Sequence, residues 1–319
     1  MLSHLHEADA AKDSSSMIER LMKKANTTPE QLVKPKLAVT LLCIFLTPAI
    51  FAQTPAAKSS FFQTSDGTRI HYLEAGSGRA IVFIPGWTMP AWIWQKQIDA
   101  LSDRYHIIAV DPRSQGESDK PPYGHLPETR ARDYRELVDH LGLKQPALVG
   151  WSMGCGELLK YVDQFGTSNI GAVVLVDGFM ADKASMEMYS GLSGWMNMLQ
   201  QDRAKQADGF VRHMYLKPQP EDYLKRVIAA SMQVPADTAV VLIYNMLAIN
   251  DWSTGFAKID RPLMFAYQPE NQTSADFLKS KLGDKVRLER FEGDGHALFV
   301  DDPDKFNRVL DDFLKGLPQ

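Results

Sequence analysis

Apolar positions cluster in short continuous runs along this chain. Runs at 80–84, 106–110 and 147–149 lack the apolar–polar alternation of a half-exposed strand. Such runs fit strands buried on both faces of a sheet. Strands at 172–176, 263–267 and 286–291 complete the set, and 61–64 and 69–73 flank Asp66-Gly67, a hairpin signal. Helical periodicity falls between the strands, at 127–141, 153–165 and 303–314. Strands alternating with helices predict an α/β fold with a mostly parallel sheet covered on both faces. One gap breaks the alternation. Residues 179–259 are helical in pattern and hold eight of the 14 methionines, which predicts an inserted helical cap with an adaptable apolar wall.

The first 52 residues follow a different pattern. Residues 37–52 are uncharged, and Lys34 and Lys36 precede them. The run is short for a bilayer span, which needs about 20 residues. Together with small Ala52 it reads as a secretory signal after a polar extension, so residues 53–319 form the exported chain. The alternative is an anchor through 37–52. The expected organisation is a signal with extension at 1–52, a core at 53–178 and 260–319, and a cap at 179–259.

The 319 residues carry a net charge of −4, and no basic stripe of the kind that binds nucleic acid stands out. Cys43 and Cys155, the two cysteines, make neither a disulfide scaffold nor a tetrahedral thiolate zinc site.

Chemistry enters at Gly150-Trp151-Ser152-Met153-Gly154, between a strand and a helix. This is the pattern of a nucleophile elbow, in which a serine on a sharp turn exposes its hydroxyl. Gly293-Asp294-Gly295-His296 lies after the last strand, where a histidine can reach back over the carboxyl edge of the sheet. His296 is therefore the candidate general base. His71, His106, His125, His140 and His213 have plainer settings. Pro85-Gly86-Trp87 ends the third strand, which assigns an oxyanion hole to the amides of Trp87 and Met153. Met89 and Trp151 flank these positions, Met180 lies in the first part of the cap, and the three are the expected substrate-pocket residues.

The stretches IVFIPGWTMPAWIW, VDPRSQGESD, LVGWSMGCGELLKYV, VVLVDG and FEGDGHALFVDDPDKF resemble the α/β-hydrolase superfamily, in particular its single-domain esterase and perhydrolase-like branch. They run in family order over residues 61–316. The resemblance implies an α/β-hydrolase fold: a mostly parallel eight-stranded sheet flanked by helices, a helical cap after the sixth strand, and Ser-His-acid chemistry without a cofactor or metal. Ser152 argues against the members that carry aspartate at the elbow, the dehalogenases and epoxide hydrolases. The acid departs from the family pattern. Counting from Pro262 to its usual place lands on Asn271, which has no charge to stabilise an imidazolium. Asp177, at the end of the sixth strand, is the expected acid, and Glu270 is the alternative. Asp294 is too close in sequence to His296. Asp111 is read as fixing its own loop.

These readings predict hydrolysis of apolar small-molecule esters or lactones through an acyl-enzyme on Ser152, by a protein with no stable membrane partner after processing. Two alternatives stay open: a perhydrolase or C–C bond hydrolase with the same residues, and a non-catalytic binding or sensor protein on a hydrolase scaffold.

Overall fold

The computed structural model describes residues 56–180, 186–248 and 252–317. The expected export segment at 37–52 lies outside the described residues, as do the side chains of Met186 and Met188. Eight strands form one sheet: β1 (Lys58–Gln63), β2 (Arg69–Ala75), β3 (Arg79–Ile84), β4 (Tyr105–Val110), β5 (Ala147–Trp151), β6 (Ala172–Val176), β7 (Leu263–Tyr267) and β8 (Val286–Arg290). Their spatial order is β1-β2-β4-β3-β5-β6-β7-β8. β2 pairs antiparallel with both β1 and β4. The remaining pairs are parallel.

The central strands are apolar on both faces because both faces are covered. β5, β6 and β7 are buried at every position, whereas the edge strand β8 is buried only at Val286. On one face lie α2 (Pro127–His140), α3 (Met153–Phe165), α8 (Ser253–Ala257) and α9 (Gln272–Leu282), contributing Leu137, Leu158, Phe256 and Leu278 to one core cluster. On the other lie α1 (Gln95–Leu101), α10 (Leu298–Asp301) and α11 (Pro303–Lys315), contributing Ile98, Phe299 and Phe306 to a second. The three-turn amphipathic pattern found α2, α3 and α11 in the sequence. That pattern does not predict α1 and α9, which open on three polar residues each, Gln95-Lys96-Gln97 and Gln272-Thr273-Ser274.

Between β6 and β7 the chain forms α4 (Met186–Gln201), α5 (Arg203–His213), α6 (Glu221–Met232), α7 (Ala236–Ala248) and α8. This insertion packs into both clusters, with Leu199, Leu242 and Met246 in the first and Val211, Leu224 and Val227 in the second. Arg113, the lone arginine in the motif loops, is fully buried. Its guanidinium is held 2.6 Å from Asp133 and 2.9 Å from Asp66. Its charge is therefore spent inside the fold.

Candidate active site

Ser152 stands at the junction of β5 and α3 with φ +55° and ψ −118°, a conformation that non-glycine residues rarely adopt and that costs about 1–3 kcal/mol. The surrounding glycines make the turn possible. A Cβ on Gly150 would lie 2.5 Å from the Gly154 carbonyl oxygen, and one on Gly154 would lie 2.8 Å from the Ile84 carbonyl oxygen. The Ser152 amide donates to the Val176 carbonyl at 2.9 Å, fastening the turn to the end of β6. The hydroxyl-bearing residue remains half-buried.

The residue that follows β6 is Asp177, also at positive φ (+44°). Its carboxylate is buried, and its Oδ2 lies 2.7 Å from His296 Nδ1. Its Oδ1 accepts from the Gln268 amide at 3.0 Å and from Asn271 Nδ2 at 3.3 Å. Asn271 thus sits beside the carboxylate and donates to it. It also donates to the Gly178 carbonyl at 2.9 Å, and its own Oδ1 accepts from Ser274 Oγ, which in turn accepts from the Met180 amide. Glu270 is exposed on the single turn Pro269–Asn271. It borders the same cavity, while the bond to His296 comes from Asp177.

His296 is held from below and from the insertion. The Trp151 indole N–H donates to the His296 carbonyl at 2.9 Å, and the two rings lie 5.2 Å apart. The Gly295 amide donates to Asp301 Oδ2 at 2.8 Å, and the Ala297 amide donates to the Met214 carbonyl at 2.9 Å. Asp301 also accepts from the Leu216 amide and from Gln219 Nε2. One buried carboxylate therefore ties the histidine loop to residues 214–219. A Cβ on Gly295 would fall 2.6 Å from the Leu216 nitrogen, so only glycine allows this approach. Asp294 points away from the chemistry, into an ion pair 2.7 Å from Lys217.

Met153 follows Ser152 directly, and the loop after β3 passes close by, since a Cβ on Gly86 would lie 3.1 Å from the Ser152 Cβ. Trp87 follows β3, and Met153 is the first residue of α3, where backbone N–H groups have no helical partner. The Trp87 side chain rises into the insertion. Its indole donates to the Ala239 carbonyl at 2.8 Å, and its ring lies 5.0 Å from those of Trp195 and Phe210. Thr88 Oγ1 lies 2.8 Å from Ser231 Oγ, so the insertion grips this loop too. Arg203 lies over the Trp87 ring, and burial pushes its guanidinium pKa down.

A cavity of about 420 Å³ opens onto Ser152, Asp177 and His296. Its apolar wall is Met153, Phe179, Ile243, Met246 and Trp252. The expected pocket residues Met89, Trp151 and Met180 are not in that wall. All three are at most 2% exposed. Met89 and Trp151 pack in the cluster beneath the sheet, Trp151 because alternate residues of a strand face opposite sides and it shares the face of Val149. Met180 packs in the opposite cluster, beside Ser274. The wall comes instead largely from α7 and the start of α8. Its signal in the sequence was the unbroken apolar stretch of α7, too rich to be covered on one side only. Cys155 lies one turn from Ser152, with its thiol donating to the Gly150 carbonyl at 2.9 Å, and burial pushes its pKa up.

Comparisons with known proteins match residues 81–309 to the alpha/beta hydrolase family. The non-heme chloroperoxidase CPO-A1 of Kitasatospora aureofaciens is 28% identical over 273 residues, covering 79% of this chain and 98% of that protein. The esterase EaEST of Exiguobacterium antarcticum superposes with a TM-score of 0.76 at 27% identity, covering 81% of this chain and all of that one. A bromoperoxidase of Bacillus anthracis shares the fold, with a TM-score of 0.75 at 22% identity over 81% of this chain and all of that one.

Proposed function

Because the chain belongs to the α/β-hydrolase family, we propose that it is a serine hydrolase cleaving carboxylic esters or lactones of apolar small molecules. The observation that carries this reading is the meeting of the Ser152 turn with the His296–Asp177 pair in one cavity. Ser152 Oγ attacks the ester carbonyl while His296 Nε2 takes its proton. Asp177, on the other ring nitrogen, fixes the tautomer and stabilises the imidazolium. The amides of Trp87 and Met153 receive the oxyanion, each worth about 3 kcal/mol of transition-state stabilisation. His296 returns its proton to the leaving alkoxide. Water then repeats the cycle on the acyl-enzyme, and no cofactor takes part. The strained backbone at Ser152 holds the hydroxyl ready before substrate arrives, so the folding energy of the sheet carries the cost of positioning.

The wall of Met153, Phe179, Ile243, Met246 and Trp252 suits an apolar acyl or alcohol group. A panel of 4-nitrophenyl esters of increasing chain length tests the proposal, with turnover expected in the wild type and absent in Ser152→Ala. Activity that survives this substitution overturns the assignment. Relatives named chloroperoxidase and bromoperoxidase favour a second reading, in which peroxide replaces water at the acyl-enzyme. Peracid formation from a short carboxylic acid and hydrogen peroxide measures it. Export through residues 37–52 is proposed with it. N-terminal sequencing of the soluble protein is expected to begin near Gln53, and retention of residues 17–50 in a membrane fraction favours the anchor.

A further inference from the structure

A second serine, histidine and aspartate come together at the other end of the sheet. Ser59 Oγ lies 2.8 Å from His71 Nε2, and His71 Nδ1 lies 2.7 Å from Asp111 Oδ2. The three residues sit on the neighbouring strands β1 and β2 and just after β4. Proton placement follows from the acceptor. An ionised carboxylate only accepts, so Nδ1 carries the hydrogen. In the neutral ring Nε2 then offers a lone pair, and the Ser59 hydroxyl donates to it. This is the proton arrangement of a hydroxyl poised for general-base activation.

The mount is rigid. The His71 amide donates to Ser118 Oγ at 2.8 Å, and its carbonyl accepts from the Asp111 amide at 2.9 Å. Asp111 Oδ2 also accepts from the Glu117 amide at 2.9 Å, and Oδ1 accepts from the Ala91 amide. Gly116, at φ +47°, allows this wrap, since a Cβ there would lie 2.1 Å from the Asp111 carboxyl carbon. Asp111 and His71 are buried, at 2% and 4% exposure, whereas Ser59 faces solvent. Fixing the loop needs Asp111 and the backbone. It does not need a hydroxyl on the outer nitrogen of the ring.

The group opens on a cavity of about 550 Å³ that is separate from the Ser152 cavity. Arg226 borders it, with its guanidinium 3.9 Å from the centre of the Trp92 ring, and Gln95 and Gln233 border it as well. The lining thus carries a guanidinium and a carboxamide, Arg226 and Gln233, of the kind that donates hydrogen bonds to an oxyanion, while Gln95 Nε2 donates to Asp99 at 2.7 Å.

We propose that Ser59, His71 and Asp111 form a second hydroxyl–imidazole–carboxylate relay that makes Ser59 an acyl acceptor for small activated esters. In the step, the Ser59 Oγ–carbonyl bond forms and the carbonyl–aryloxide bond breaks. The hydroxyl proton passes to His71 Nε2 and then to the departing phenolate, leaving acyl-Ser59 and a phenol.

The test uses the full chain carrying Ser152→Ala, treated with 4-nitrophenyl acetate and mapped by peptide mass spectrometry. Acetylation of Ser59 is expected about 10²-fold faster than that of the exposed serines Ser168 and Ser280, the scale of general-base assistance. His71→Gln is expected to erase that advantage. Equal rates at the three serines overturn the proposal, as does an advantage that persists in folded His71→Gln. Should that variant fail to fold by circular dichroism, the ratio among serines within one protein still decides. Ser59→Ala in the otherwise intact chain is expected to leave catalytic turnover at Ser152 unchanged.

Discussion

Two places in this molecule set a serine beside a histidine and an aspartate, and they differ in everything around those three groups. At the carboxyl edge of β5 and β6, Ser152 is strained, stands at the start of α3 and lines a cavity walled largely by the insertion. At the outer edge, Ser59 lies in a regular strand and faces solvent. A relay of protons is the easily assembled part of such a centre. The difficult part is a serine held on a turn beside backbone amides that have no helical partner. The sharp turn supplies it by placing the hydroxyl and the first free amides of α3 at one point.

The largest expected effect tests which serine turns substrate over. Ser152→Ala is expected to lower ester turnover by about 10⁴–10⁶-fold, because such residues act as a unit, and His296→Ala should fall by a similar factor. Steady-state kinetics, with any stoichiometric burst measured separately, keep acyl transfer to Ser59 from being counted as catalysis. Next comes the acid. Asp177→Asn is expected to lose at least about 10²-fold in turnover and Glu270→Gln less than about 10-fold. The reverse ranking in folded variants would move the acid to Glu270. Smaller still is the support beneath the acid. Asn271→Ala removes one donor from the buried Asp177 carboxylate, an effect of about 1 kcal/mol. It is expected to lower kcat several-fold with KM little changed. The smallest expected effect concerns the thiol beside the elbow. Cys155 is buried with a raised pKa, so iodoacetamide at pH 8 should leave it unmodified in the native protein and alkylate it after denaturation, as read by mass. Rapid alkylation in the native state would show that the elbow opens.

The elbow was legible in the sequence because its geometry is local: glycines two residues either side of a serine, between strand and helix, leave few other conformations. His296 was legible from its glycine-rich loop at the right end of the sheet. The acid was not settled by counting, because counting measures distance along the chain. β6 and β7 are neighbours, with Val176 opposite Ala266, so the loops that follow them meet. Asp177 and Asn271 then occupy one place, and the amide serves the carboxylate. Trp151 was misplaced for a reason the sequence did contain: strand alternation sends it below the sheet with Val149. The pairing of Ser59 with His71 was beyond reach, because it depends on the register that sets Phe61 opposite His71 and Ser59 opposite Leu73.

The strap between the histidine loop and residues 214–219 has a consequence for durability. His296 keeps its position through Asp301 and the Met214 carbonyl, partners that belong to or hold the inserted helices. Helices of an insertion open more readily than central strands. Warming should therefore silence the enzyme before the sheet melts, as α5 and α6 loosen and release the loop. An inactivation midpoint several degrees below the calorimetric one would be its signature, and grafting a foreign insertion without residues 214–219 should give a folded but idle protein.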